Sequence, residues 1–244
     1  MRRVIPDLSD DVDLLDAYAV PPRVDAPLVR VNMISSLDGA ISVDGRSGAL
    51  GGSADSRVFT ALRSLADVIL VGAGTVRAEG YGPARLDDAD VQRRVARGQA
   101  PQPAIAVVSR AAAFDFATPF FTEAIATPVL VTTAARAASL AREAGSRADV
   151  LAVGADHVDL PLTVAALGDR GARSVLVEGG PGLNGDLARA DAIDELCLTV
   201  SPRIVGGEGP RILAGPPIQP PIEPRVMHVL EEDGFLFVRM SLRR

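Results

Sequence analysis

The sequence has no lysine and no tryptophan, and its 244 residues include one cysteine and two histidines. Without lysine, the chain can form no Schiff base with a carbonyl substrate and no lysine-bearing P-loop. Cys197 is the only cysteine, which excludes a disulfide within the chain and a zinc site built on several thiolates. His157 and His228 have no ligand-spaced or nucleophilic partner. We therefore predict no metal site and a reducing, cytoplasmic setting.

Long apolar runs are also missing, and the N-terminus lacks the apolar core of a signal peptide. No segment reaches the roughly 20 apolar residues that a membrane-spanning helix needs, so we expect no membrane partner. The net charge of −6 argues against nucleic acid as a partner. A local arginine cluster could still bind a phosphorylated small molecule. The hydrophobic content of 48% is typical of a globular protein.

The sequence indicates a short arm followed by one domain. Residues 1–26 are acidic and contain several prolines, and we expect them to pack on the domain or on a partner subunit. Residues 27–244 alternate strands with helices and show no repeat, which predicts a single domain of the α/β class. An Asp-Gly pair at 233–234 separates two apolar runs. It predicts an antiparallel C-terminal hairpin at the edge of a mixed, mostly parallel sheet.

Hydrophobic periodicity places the individual elements. Strands are predicted at 28–35, 68–71, 104–108, 128–132, 150–153, 174–177, 195–200, 226–231 and 235–240. Helices are predicted at 53–65 and 134–144, after Pro161, and at 87–97, where the polar sequence indicates an exposed helix.

Two of the apolar strands end in a glycine turn that leads into a helix. The first turn contains Gly72, Gly74 and Thr75, and the second spans 178–182. The first N–H groups of a helix have no partner within it, and the helix dipole favours negative charge there, so both turns could bind phosphate. Such turns also occur for purely geometric reasons, and neither matches a dinucleotide or P-loop fingerprint. Their pairing favours one dinucleotide held at two points.

Three ordered motifs resemble the reductase domain of bacterial riboflavin biosynthesis. The first is the segment 31–39, which contains Ser-Leu-Asp-Gly, the second is the segment 53–63 together with 67–76, and the third is the segment 177–180. The resemblance extends from residue 28 to the C-terminus. It implies a dihydrofolate-reductase-like fold of three layers, NADPH as cofactor and a homodimer. It also implies reduction of a ribosylamino-pyrimidine phosphate at the sugar C1′, which opens the ribose to a ribityl chain.

The resemblance also implies particular site residues. Those implied for the two walls of the cofactor site are Gly72, Gly74, Thr75, Val76, Glu178, Gly179, Gly180 and Leu183. The Ser-Leu-Asp-Gly loop would place Ser36 and Asp38 beside the nicotinamide and the substrate. An aspartate followed by a glycine is also typical of an ordinary turn, in which the aspartate side chain bonds its own backbone. Asp38 is therefore either a site residue or a turn residue.

The strand that ends at 108 leads into Ser109 and Arg110. This segment resembles the place where reductases of this fold hold the adenosine 2′-phosphate. A hydroxyl and a guanidinium suit that group, because arginine makes charge-assisted bonds of fixed geometry to phosphate oxygens. Arg77 is a second candidate for the same phosphate. A solvated arginine at a strand end is the alternative interpretation of Arg110.

Departures from the family bear on the substrate. Asn32, a candidate substrate-binding residue, stands where many of these reductases have a lysine, four residues before Ser-Leu-Asp-Gly. The segment 77–83 replaces a stretch that usually contains Asp-Asp-Pro. The sequence has no His-x-Glu and no Pro-Cys-x-x-Cys motif, so we expect no zinc deaminase half.

Three carboxylates are candidate catalytic groups. Asp38 and Glu178 could each supply a proton through a water, although Glu178 follows four apolar residues and would be costly to bury unpaired. That cost favours a binding role for Glu178 or a helix N-terminus as its partner. Asp55, with Ser53 beside it, lies where dihydrofolate reductases bind the pterin ring, whose reduction needs a proton as well as a hydride. Ser53 as an N-cap with Asp55 in the first helical turn is the structural alternative.

The sequence therefore favours an NADPH-dependent pyrimidine reductase and leaves two alternatives open. One is dihydrofolate reductase activity, which depends on Asp55. The other is a non-catalytic NADPH-binding paralogue that acts as a sensor or scaffold, which the missing lysine permits.

Overall fold

The computed structural model describes residues 1–21 and 26–243, and it arranges the strands of these residues in one ten-stranded sheet. The strands are β1 (Arg2–Ile5), β2 (Leu28–Ser36), β3 (Val68–Gly72), β4 (Ala104–Val108), β5 (Val129–Thr132), β6 (Asp149–Ala152), β7 (Ser174–Val177), β8 (Glu195–Ser201), β9 (Arg225–Glu232) and β10 (Phe235–Ser241). Their order is β1-β9-β10-β8-β2-β7-β3-β4-β5-β6. The strands from β8 to β6 run parallel, and β10, β9 and β1 add antiparallel pairs. The prediction of a mixed, mostly parallel sheet is confirmed.

Helices cover both faces of the sheet. They are α1 (Leu14–Ala17), α2 (Ser53–Leu65), α3 (Ala73–Glu79), α4 (Asp88–Ala96), α5 (Pro119–Thr122), α6 (Ala134–Ala144), α7 (Leu160–Asp169) and α8 (Pro181–Arg189), with a short 3-10 helix at Gly145–Arg147. One buried apolar cluster joins the sheet to α2, α5 and α6, and a second joins it to α7 and α8. The result is a three-layer α/β architecture. None of the helices in the described ranges has the length and apolar character needed to cross a membrane.

The central strands are apolar on both faces because both faces are buried. Every residue from Val68 to Val71 in β3 is buried, and so is all of β7. Ile69 belongs to the cluster beneath α2, whereas the next residue, Leu70, belongs to the cluster beneath α7 and α8. Continuous apolar runs of this kind are what parallel strands inside a three-layer fold require.

The C-terminal hairpin forms as predicted. Glu232 of β9 is paired with Phe235 of β10, which leaves Asp233 and Gly234 as a two-residue turn. Both turn residues have positive φ, 53° and 79°, which is the backbone that such a tight hairpin needs.

The N-terminal arm is more closely joined to the domain than the sequence indicated. Arg2–Ile5 pairs antiparallel with β9 and forms an edge of the sheet, and Tyr18 is buried in the core. No strand was predicted at 2–5, because four residues without an alternating apolar pattern carry little signal. Residues 22–25 of the predicted arm lie outside the described residues.

The exposed helix predicted at 87–97 forms as α4, but one of its sides is buried. Arg94 is fully buried, and its guanidinium donates to the carbonyls of Ser64, Ala66 and Ala100 at 3.0, 2.5 and 2.8 Å. Carbonyls at the end of a helix lack partners within it, and Arg94 satisfies those at the end of α2. Most of α4 is exposed as predicted, but the prediction missed the buried Asp90 and Arg94, because a polar pattern does not reveal an arginine that caps another helix.

Candidate active site

The two glycine turns meet at one edge of the sheet. Strands β3 and β7 are parallel neighbours, so the turns that follow them leave the sheet at the same carboxyl edge. The Gly72 amide donates a hydrogen bond of 2.8 Å to the Gly179 carbonyl, which joins the turns directly. Helix α3 begins at Ala73 and helix α8 at Pro181. Two helix N-termini with unpaired amides therefore lie beside each other.

Glycine is required where these turns approach each other. Gly179 has a φ of +89°, a conformation that side chains disfavour. A Cβ at Gly180 would lie 2.7 Å from the Thr75 Oγ1, which is too close without a shift, whereas one at Gly72 would lie 3.4 Å from the Gly180 nitrogen, an ordinary contact. Gly74 and Gly182 face open space. The turns thus form a bare backbone surface that a flat or anionic ligand can approach closely.

A cleft of about 1050 Å³ opens beside these turns. Its wall combines residues of β2 and α2 with the loop that joins them and with both glycine turns. The charged side chains that line it are Asp55, Arg63, Glu79 and Glu178. A cleft of this size at the carboxyl edge of parallel strands is the usual position of a ligand site in an α/β fold.

The cleft brings together about half of the residues that the sequence singled out. Predicted residues that line it are Asn32, Asp55, Gly72, Gly74, Thr75, Glu178, Gly179, Gly180 and Leu183. Predicted residues outside its lining are Ser36, Asp38, Ser53, Val76, Arg77, Ser109 and Arg110. Ser53 is the first residue of α2, and Gly52 is the N-cap, so the interpretation of Ser53 as the N-cap was wrong.

Sequence reasoning missed Arg63 and Tyr81, which hold Glu178 in the cleft wall. The Arg63 Nε and Nη2 donate to the two oxygens of Glu178, each at 2.7 Å, and the Tyr81 hydroxyl donates to Glu178 Oε2 at 2.8 Å. The Arg63 guanidinium also lies over the Phe59 ring, 4.2 Å from its centre. The signal was present in α2, because Asp55, Phe59 and Arg63 are four residues apart and share one helix face.

Of the three predicted catalytic carboxylates, Asp55 and Glu178 line the cleft, and Asp55 is the one that is not paired with Arg63. Burial raises the pKa of Asp55 above its ordinary value, and a hydrogen bond from the Thr199 side chain lowers it in part. Asp55 lies in the first turn of α2, where the helix dipole stabilises a negative charge. A carboxyl with a raised pKa beside a ligand cleft is suited to proton transfer.

Asp38 lies in the turn after β2 and is exposed. Its carboxylate accepts hydrogen bonds from the Ser36 hydroxyl at 2.5 Å and from the amides of Val205 and Gly206 at 3.1 and 2.6 Å. The hydrogen bond from Ser36, followed by those from the two amides, lowers the pKa of Asp38 to about 2. Asp38 is therefore ionised near neutral pH and acts as an acceptor of hydrogen bonds.

Ser109 and Arg110 follow β4 at the same carboxyl edge as the glycine turns. Val108 at the end of β4 is paired with Gly72 of β3, so these residues begin one strand away from the first turn. The Ser109 hydroxyl is buried and accepts a hydrogen bond from the Ala112 amide at 3.1 Å. Arg110, like Arg77 of α3, is exposed.

The three layers, the mixed sheet and the cleft at its carboxyl edge define an α/β protein of the dihydrofolate-reductase-like class. The family described as the RibD C-terminal domain matches residues 27–233. The chain belongs to this family, and the resemblance drawn from its motifs is confirmed.

Similar proteins agree with this assignment. The chain is 30% identical over 194 residues to a 2,5-diamino-6-ribosylamino-4(3H)-pyrimidinone 5′-phosphate reductase of Archaeoglobus fulgidus, which covers 78% of this chain and 87% of that protein. It is 30% identical over 187 residues to the protein of the same name from Methanothermobacter thermautotrophicus, and the match covers 77% of this chain and 83% of that protein. A pyrimidine reductase-like protein of Corynebacterium diphtheriae matches with a TM-score of 0.79 and 25% identity over 89% of this chain and 92% of that one. The riboflavin biosynthesis reductase Rib7 of Saccharomyces cerevisiae shares the fold. It matches with a TM-score of 0.65 and 18% identity over 93% of this chain and 95% of that one.

Proposed function

We propose that this protein is a reductase that uses NADPH to reduce a ribosylamino-pyrimidine 5′-phosphate at the sugar C1′. The observation that carries the proposal is the hydrogen bond between Gly72 and Gly179, which joins two glycine turns beside a cleft of about 1050 Å³. The curated relatives of similar length are named as reductases of such a pyrimidine. Reduction at C1′ opens the ribose and leaves a ribityl chain.

The glycine turns fit a dinucleotide cofactor. The bare surface at Gly74 and Gly182 leaves room for a pyrophosphate against backbone amides, and a Cβ at Gly180 would close that space toward Thr75. Leu183 lines the cleft on α8, and Val76 of α3, which lies outside the lining, would support the other proposed wall from behind. The bound cofactor would supply the hydride. The protein then has to fix the reacting carbon within about 3–3.5 Å of the hydride donor.

We propose that the preference for NADPH over NADH comes from the end of β4. Ser109, Arg110 and Arg77 would hold the adenosine 2′-phosphate, and the two exposed arginines would provide its charge-assisted bonds. The only arginine that lines the cleft, among the residues described, is Arg63, and Glu178 already neutralises it. A phosphate specificity site is therefore expected at the rim of the cleft.

The carboxylates would have different roles. We propose that Asp55 supplies the proton, since it lines the cleft and burial raises its pKa. Glu178 would orient the second glycine turn, because Arg63 and Tyr81 hold its carboxylate and leave it unsuited to donate a proton. Asn32 would contact the substrate from β2. Ser53, the first residue of α2, would contact it from outside the cleft lining, two residues before Asp55. For Ser36 and Asp38, a role beside the substrate stays a prediction.

Dihydrofolate reductase activity is a second candidate, and the position of Asp55 favours it. A half-buried carboxyl at the start of the helix after the active-site loop can bind the polar edge of a pterin and protonate its C=N bond. We further propose a homodimer, as the family resemblance implies, and a cytoplasmic location, as the single cysteine and the lack of long apolar runs indicate.

The loss of absorbance as NADPH is oxidised tests these functions directly. The protein is mixed with NADPH and, in parallel, with the ribosylamino-pyrimidine phosphate, with dihydrofolate or with neither. We expect oxidation to depend on the pyrimidine. Turnover of dihydrofolate alone would favour the second candidate. Binding of NADPH without turnover of either compound would leave the non-catalytic paralogue.

A further inference from the structure

The loop after β8 borders the cleft. We call residues 203–216 the strap, and they form no helix or strand. Pro210, near the middle of the strap, lines the cleft. Hydrogen bonds hold each end of the strap to another part of the structure, and the contacts at one end are more buried than those at the other.

The C-terminal end of the strap is packed tightly on α8. The Ala214 amide donates to the Pro181 carbonyl at 2.9 Å, and the buried Asn184 side chain donates to the Ile212 carbonyl at 3.1 Å. A Cβ at Gly185 would collide with the Ala214 carbonyl oxygen, so strap and helix are in backbone contact. This end of the strap is fixed to the helix that follows the second glycine turn.

The N-terminal end of the strap is held at the surface. The Asp38 carboxylate accepts hydrogen bonds from the amides of Val205 and Gly206, and the Leu37 amide donates to the Arg203 carbonyl at 2.8 Å. The strap residues at this end are all exposed, and so is Asp38. Water can therefore compete for these hydrogen bonds, whereas the contacts on α8 are shielded.

Asp38 is held in position by its own turn before it meets the strap. The Ser36 hydroxyl donates to Asp38 Oδ1 at 2.5 Å and accepts from the Ala40 amide at 2.9 Å. The Ser36 amide donates to the Ala40 carbonyl at 2.8 Å. The turn also lies between two segments that line the cleft, residues 32–34 of β2 and the loop that begins at Ile41. A displacement of the strap at Asp38 therefore acts on the wall of the cleft.

We propose that Asp38 is a positioning residue that latches the strap over the cleft, that this latch opens transiently to admit ligands, and that it closes again over the bound cofactor while the α8 end stays attached. The inference rests on the proposed function in taking the cleft as the ligand site. The lowered pKa of Asp38 supports it, because a carboxylate that is ionised near neutral pH makes charge-assisted hydrogen bonds with amide donors. The latch differs from a catalytic role in that it acts through the strap and not on the substrate.

Limited digestion with trypsin tests the latch without any ligand. The chain has no lysine, so trypsin cleaves only after arginine, and the strap contains the exposed Arg203 and Arg211. Cleavage at such sites follows the population of the opened form, and we expect Asp38→Ala to speed cleavage after Arg211 about tenfold. Cleavage after Arg142 in α6 should keep its rate.

Two further variants should raise the rate of cleavage after Arg211 by a smaller factor than Asp38→Ala. Asp38→Asn keeps one neutral acceptor, and Ser36→Ala removes the donor that fixes Asp38, so each should speed cleavage by about threefold. Asp156→Ala, an exposed aspartate between β6 and α7, is the matched control and should leave cleavage after Arg211 unchanged.

Addition of NADPH separates the latch from the proposed cofactor. We expect NADPH to slow cleavage of the strap about threefold in the wild type and to have less effect in Asp38→Ala. Wild-type cleavage of Asp38→Ala without ligand would overturn the latch, even if kcat fell. Faster cleavage of that variant without any protection of the wild type by NADPH would support the latch and contradict the cofactor assignment.

Discussion

Arg63 and Glu178 form a two-point ion pair in which both nitrogen–oxygen distances are 2.7 Å. The pair links the cleft face of α2 to the first residue of the second glycine turn. Only 2% of the Glu178 side chain is exposed, compared with 18% of the Arg63 side chain. The turn that carries Gly179 and Gly180 is therefore linked, through Glu178, to a residue more than a hundred positions earlier in the chain.

Arg63→Met should destabilise the protein, because it leaves the Glu178 carboxylate buried without its cation. We expect the free energy of unfolding to fall by about 3 kcal/mol at neutral pH. Urea denaturation measures the change. Arg57→Met is the matched control on the same helix, since Arg57 and its partner Glu232 are 50% and 24% exposed. Loss of an exposed pair should cost less than about 1 kcal/mol, so equal losses in the two variants would contradict the structural role of Arg63.

Gly180→Ala tests the contact between the glycine turns. Its Cβ would meet the Thr75 Oγ1 at 2.7 Å, which should destabilise the fold by about 1–3 kcal/mol and displace the cofactor wall. Thermal unfolding with and without NADPH measures both effects. Gly182→Ala faces open space and should unfold at or above the wild-type temperature. Adding Thr75→Ala to Gly180→Ala removes the clashing oxygen and should recover stability, and failure to do so would place the strain elsewhere.

Arg110→Ala tests the choice between the two nicotinamide cofactors. Loss of a charge-assisted bond to the 2′-phosphate should raise KM for NADPH about tenfold and leave KM for NADH unchanged. Steady-state kinetics with each cofactor measure this, and Arg77→Ala tests the second candidate in the same way. Arg142→Ala, exposed on α6, serves as the control. Equal changes for NADPH and NADH would remove the 2′-phosphate role from Arg110.

Asp55→Asn should affect catalysis and stability in opposite directions. Burial raises the pKa of Asp55, so the acid required for turnover persists to a higher pH than for an ordinary aspartate. The variant should lose that limb of the pH–kcat profile and any dihydrofolate turnover. A group whose folded pKa exceeds its unfolded pKa stabilises the fold only at low pH, and this contribution is lost as pH rises through the folded pKa. At neutral pH the variant should therefore unfold at a higher temperature than the wild type, and a lower one would contradict the raised pKa.

The fold was largely predictable because its signals are local. Helix α2 and helix α6 have the predicted bounds, and the Asp233-Gly234 turn forms the expected hairpin. Strand β1 and the buried side of α4 were missed because they depend on partners far along the chain. Arg94 looks like a solvated residue until its contacts with the end of α2 are known.

The candidate site was predictable only where backbone chemistry defines it. Glycine turns after apolar strands carry a sequence signature, and both turns line the cleft. The spacing within α2 indicates that Arg63 shares a helix face with Asp55, but it does not identify Glu178 as the partner, because that pair spans 115 positions. The contact of Asp38 with the strap likewise spans 168 positions, so the sequence could not distinguish it from an ordinary turn.

Titration with NADPH, followed by thermal unfolding of the wild type and of Gly180→Ala, tests most directly whether the two glycine turns hold one reduced nicotinamide cofactor. Saturation at one hundred times Kd should stabilise the wild type by about 2.7 kcal/mol. Gly180→Ala should gain much less at the same concentration. An unfolding temperature of the wild type that does not respond to NADPH would contradict the account.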